Sequence, residues 1–155
     1  YHAHGGFVIG SEFSGGMKNI VVRNNTFQGT DAGLRFKSAV KRGGKSENIY
    51  IDHIYMTDIT GDAITFETTY FDNHVGAKQQ ATPVKQEFLP DFQDIHISNV
   101  YVRGCKNGIV AHGAEGMIHD ITIKDCNIFY NKNAKDIDAA CKITLENVNF
   151  STFAK

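Results

Sequence analysis

Five segments of this chain carry one eight-residue pattern: 20–27 (IVVRNNTF), 49–56 (IYIDHIYM), 95–102 (IHISNVYV), 121–128 (ITIKDCNI) and 143–150 (ITLENVNF). A repeat of this kind restricts the fold more than any single motif does. Apolar residues stand at the first, third, sixth and eighth positions of every copy, with Asn25 as the exception. Spacing of two within each half marks two short strands, whereas a helix would space its apolar face by three or four. The phase break between the halves is a bend that turns both apolar faces inward. Small polar residues occupy that bend: Asn24, His53, Asn99, Asp125 and Asn147. Asn and Asp tolerate left-handed backbone angles and bond to their own turn, so they suit a corner.

Successive copies start 29, 46, 26 and 22 residues apart. A further short strand follows some of them, at Gly33-Leu34-Arg35-Phe36, Ala63-Ile64-Thr65-Phe66 and Gly108-Ile109-Val110-Ala111. Short strands recurring every 20-odd residues describe the coils of a parallel β-helix, whose stacked coils bury a ladder of Ile, Val and Phe. Repeated antiparallel hairpins are the competing arrangement. The 46-residue step contains an insertion from about Phe71 to Pro90, which reads equally as a binding loop or as solvated surface. The basic stretch Lys41-Arg42-Gly43-Gly44-Lys45 lacks the spacing of a phosphate-binding loop and reads as a cationic rim or a turn.

Composition excludes several classes of function. Sixteen basic and 17 acidic residues leave a net charge of −1, which gives no support for nucleic-acid or membrane-surface binding. No apolar run approaches the ~20 residues that cross a bilayer. Three cysteines without a Cys-x-x-Cys pair argue against both a disulfide framework and a cysteine zinc site. Cys126 falls at an inward repeat position and is expected to be a buried, inert thiol.

Three groups of residues are candidates for chemistry. On a strand, Leu34 and Phe36 face the core, so Arg35 and Lys37 project together to the outside, about 7 Å apart. An anionic ligand relieves the repulsion between them, with arginine offering a planar fork and lysine a point charge. The alternative is that both are surface residues paired with acids on adjacent coils. His4 lies in His2-Ala3-His4-Gly5-Gly6, where glycines permit close approach of backbone. His2 and His4 could share a face toward a metal, but two ligands do not make a site. Glu12 and Asp31 are the nearest acids downstream.

In combination, Ala3-His4-Gly5, Gly10-Ser11-Glu12 and Arg35-Phe36-Lys37 resemble the family 28 glycoside hydrolases, the polygalacturonase family. Alanine replaces the first glycine of the family's Gly-His-Gly motif, and Phe36 replaces the isoleucine of its Arg-Ile-Lys motif. Gly-Gly-Phe-Val-Ile-Gly-Ser-Glu resembles the bacterial, exo-acting branch. The resemblance implies a right-handed parallel β-helix of the pectin-lyase-like kind. It also implies that Arg35, Lys37 and Tyr70 bind a uronate, that His4 sits beside the catalytic carboxylates, and that no metal or organic cofactor is used. Pectin or an oligogalacturonide is the expected substrate, and a secreted or periplasmic protein is expected from it. Rhamnogalacturonan and xylogalacturonan are further candidates.

In that family the catalytic aspartates lie in Asn-Thr-Asp and Asp-Asp motifs preceding the histidine motif. Neither motif occurs in these 155 residues. Residues 1–155 are therefore expected to be the C-terminal coils of a single β-helix domain, partnered by N-terminal coils of the same chain that carry the acids. A non-catalytic carbohydrate-binding β-helix, a structural solenoid and a pectate lyase are the competing readings. The lyase requires clustered acids for calcium, and the sequence offers no such cluster.

Overall fold

The computed structural model describes residues 1–69 and 88–152. Its strands are β1 (Phe7–Ile9), β2 (Met17–Gln28), β3 (Leu34–Lys37), β4 (Lys45–Glu67), β5 (Asp91–Phe92), β6 (Ile95–His112), β7 (Ile121–Ile137) and β8 (Ile143–Thr152). The strand order is β1-β3-β4-β6-β7-β8, with β2 and β5 also pairing with β4. Among the described residues every strand pairing is parallel, which rejects the hairpin arrangement. The chain folds as a right-handed parallel β-helix.

Register follows the sequence repeat. Ile20 pairs with Ile49, Ile49 with Ile95, Ile95 with Ile121 and Ile121 with Ile143. Equivalent side chains therefore stack coil upon coil, and Ile51, Ile97 and Ile123 are wholly buried. The outermost copies, in β2 and β8, are covered less: Ile20, Val22, Ile143 and Leu145 are only partly buried. Phe36 and Phe66 stack face to face, with ring centroids 4.4 Å apart. Such a pair adds about 0.5–1.5 kcal/mol beyond its buried area.

Long strands turn the coil because single residues inside them take left-handed angles. Asn24, His53, Asn99, Asp125 and Asn147 all have φ between 51° and 57°, as their place in the repeat predicts. Their side chains tie neighbouring coils: Asn99 Nδ2 donates to Asp52 Oδ1 at 2.7 Å, and Asn147 Nδ2 donates to Asp125 Oδ1 at 2.8 Å. A second set of corners was not evident from the repeat. Asn19, Asn48, Asp94 and Asp120 each precede the leading isoleucine of a copy and share the same φ range, 50–62°. Asn48 Nδ2 donates to Asn19 Oδ1 at 2.6 Å. The Asn107-Gly108 dipeptide, a hairpin signal in other settings, lies inside β6, where Asn107 bonds Asp62 and Asn133 on the coils to either side.

The basic stretch at 41–45 is a packed turn. Lys41 and Gly43 donate backbone hydrogen bonds to the Phe88 carbonyl, and Asp91 donates to Gly44. A Cβ on Gly43 would collide with the backbone of Pro90, so glycine permits this contact. The turn thus fastens residues 88–91 to the coil. Most of the 71–90 insertion lies outside the described residues.

Candidate functional site

The site begins on β3. Leu34 and Phe36 are wholly buried, while Arg35 and Lys37 alternate with them on the outer face. In register along the coils, Arg35 lies between Val8 and Thr65, and Lys37 lies beside Glu67. An acid of the next coil therefore stands level with Lys37 in the parallel ladder. Glu67 in turn accepts a bond from Thr69 Oγ1 at 3.0 Å.

His4 lies just before β1, and the coil step carries it onto two partners. Its Nδ1 is 2.8 Å from Asp31 Oδ2, and its Nε2 is 2.9 Å from Nη1 of Arg35. Asp31 also accepts from Thr60 Oγ1 at 3.2 Å, so three coils meet at this carboxylate. Those two donors, reinforced by the nearby charge of Arg35, outweigh desolvation and hold Asp31 below the usual carboxylate range. Gly6 secures the approach: its N–H reaches the carbonyls of Ala32 and Gly33, and a Cβ there would strike the ring of Phe27.

A shallow hollow of 190 Å³ opens between these residues, lined by Asp31, Ala32, Arg35, Gly61, Asp62, Thr65 and Glu67. A second, of 210 Å³, lies past Thr60 and is lined by Asp58, Ile59, Thr60, Gly104, Lys106 and Asn131. The fork of Arg35 N–H donors beside the carboxylates of Asp31, Asp62 and Glu67 offers donors and acceptors to a polyhydroxylated ligand. Tyr70 lies outside the described residues. Asp31, Thr60 and Glu67 were not singled out as partners from sequence. The signal was present, since the 27-residue step that pairs Phe7 with Leu34 also carries His4 onto Asp31.

Proteins similar to this chain are consistent in kind. Over 150 residues the chain is 27% identical to a polygalacturonase of Ralstonia nicotianae, spanning 90% of this chain and 26% of that protein. An exo-poly-alpha-D-galacturonosidase of Dickeya chrysanthemi is 31% identical over 102 residues, 66% of this chain and 16% of that protein. Among solved structures, the hyperthermoactive exopolygalacturonase of Thermotoga maritima superposes with a TM-score of 0.80 at 32% identity, over 96% of this chain and 31% of that one. The chain thus spans about a quarter or less of the length of these curated relatives. The profile of Glycosyl hydrolases family 28 matches residues 2–152, and the chain belongs to that family.

Proposed function

We propose that the protein containing this chain hydrolyses α-linked galacturonate in pectin-type polysaccharide, with inversion at the anomeric carbon. Residues 1–155 are the C-terminal coils of its β-helix and hold the sugar. The catalytic aspartates come from preceding coils of the same chain: one protonates the leaving oxygen, and others activate water on the opposite face of the ring. Arg35 and Lys37 bind the uronate carboxylate, and His4 stands beside the reacting centre. Tyr70 joins this reading through its sequence position alone. Because its substrate is extracellular, the protein is secreted or periplasmic.

The observation that carries the reading is the outward pair Arg35 and Lys37 on β3, with Arg35 bonded to His4 and lining an open hollow. The names of the relatives, a polygalacturonase, an exo-poly-alpha-D-galacturonosidase and an exopolygalacturonase, support the substrate class and favour exo action. The test is reducing-sugar release from polygalacturonate by the intact protein, with NMR of the first-formed product. Arg35→Ala is expected to lower kcat/KM by about 10- to 100-fold, the range for losing a charge-assisted hydrogen bond. The 155-residue chain on its own is expected to release no sugar. Full activity in the Arg35→Ala protein, or a product of retained configuration, refutes the proposal.

A further inference from the structure

We propose that Asp31 is a positioning residue that fixes the tautomer of His4 and, through that ring, the aim of the Arg35 guanidinium; its consequence for uronate binding rests on the function proposed above. The argument starts from donor chemistry. A guanidinium has N–H donors and no acceptor, so the Arg35 Nη1 lying 2.9 Å from His4 Nε2 requires a lone pair on that nitrogen. The proton of the neutral ring then resides on Nδ1 and points at Asp31 Oδ2, 2.8 Å away. The opposite tautomer would set an N–H against the N–H of Arg35 and a lone pair against a carboxylate, making both contacts repulsive.

Packing does not hold this ring, because the His4 side chain is 70% exposed. Its orientation is set by its two hydrogen bonds. Asp31 is anchored well enough to impose one of them. Its other oxygen takes the Thr60 hydroxyl, and its backbone N–H bonds the Ala3 carbonyl at 3.1 Å. A Cβ on Gly61 would collide with the Asp31 carbonyl, so this glycine lets the next coil close against it. The order of influence is Thr60, Asp31, His4, Arg35. The last bond constrains one edge of a planar fork whose binding geometry depends on its orientation.

Histidine-selective ¹⁵N labelling of the intact protein at mildly alkaline pH reads the tautomer from the two ring-nitrogen shifts, with His4→Gln assigning the signals. The expected wild-type state is Nδ1–H. Asp31→Asn keeps it, because the amide oxygen still accepts, whereas Asp31→Ala goes over to Nε2–H. Thr60→Val, which loosens Asp31 without touching the ring, moves His4 in the same direction as Asp31→Ala. A galacturonate titration of the same proteins reports on Arg35. Kd is expected to rise about tenfold in Asp31→Ala and to stay within about twofold in Asp31→Asn. An Nε2–H His4 in the wild type, or an Asp31→Ala spectrum identical to it, overturns the tautomer assignment. An unchanged Kd in Asp31→Ala overturns the link to Arg35. A wild type that holds Nδ1–H yet binds no galacturonate supports the tautomer assignment and refutes the function.

Discussion

Asp52, next to the corner at His53, shows how much a single residue of this solenoid can carry. It accepts hydrogen bonds from Asn99 and Ser98 on the next coil and from the neighbouring His53 ring, and Arg23 of the preceding coil lies 3.7 Å away. These donors, Asn99 foremost, hold its carboxyl far below the usual carboxylate range against the cost of desolvation. The sign of the pH dependence follows. A depressed folded pKa contributes stability above the unfolded value near ~3.9, and that stability is lost as pH falls toward the folded value. Asp52→Ala is expected to cost about 1 kcal/mol at pH 7, since its partners remain partly solvated. Urea unfolding at pH 7 and pH 3 checks this, because the gap between variant and wild type should narrow at the lower pH. The sequence marks this corner through Asn99 and His53, but it does not mark Asp52 as the acceptor at its centre. That role arises because the 46-residue step brings Asn99 beside a residue of the previous coil.

At the scale of the strand, inward positions behave as the repeat predicts, including the one filled by sulfur. Cys126 pairs with Val100 and Val148 in register, is wholly buried and donates to the Lys124 carbonyl. Burial, before any other cause, pushes its thiol up to about 11 and that of Cys105 up to about 12. Thiolate is the reactive form, so both cysteines are expected to be inert in the folded protein. A thiol reagent at pH 8 should modify neither until denaturant is added; rapid labelling of Cys126 under native conditions would contradict its place in the ladder. The inward ladder of Ile, Val and Cys was legible from spacing alone because a period of two is a local property of the chain. The second set of corners at Asn19, Asn48, Asp94 and Asp120 was also written in the sequence, immediately before each copy, where the apolar period by itself does not look.

Across the whole molecule, each coil contacts its neighbours, so stability is a sum of coil terms and interfaces between coils. Ile97 is wholly buried between Ile51 and Ile123, whereas Leu145 of β8 is partly buried. Ile97→Ala is expected to cost about 2–5 kcal/mol, as cavity-forming core substitutions do. Leu145→Ala, removing less buried area, should cost roughly half as much. Equal costs in equilibrium unfolding would mean that the coils do not contribute in proportion to their burial.

By itself the sequence determined the coil: which residues face inward, where the chain bends, and which repeats lie in register. These follow from a period of two and from left-handed angles at Asn, Asp and His, both of which act within a few residues. It also determined that Arg35 and Lys37 face outward, by the same alternation. Only the tertiary structure decided what those outward side chains meet. The contacts of His4 with Asp31 and Arg35, of Asp31 with Thr60, and the placement of Lys37 beside Glu67 all join residues 27 to 31 positions apart on different coils. Outward positions carry no apolar period to announce their partners. Which of them meet depends on the length of each coil and the angle of each bend, and those are settled when the coils stack.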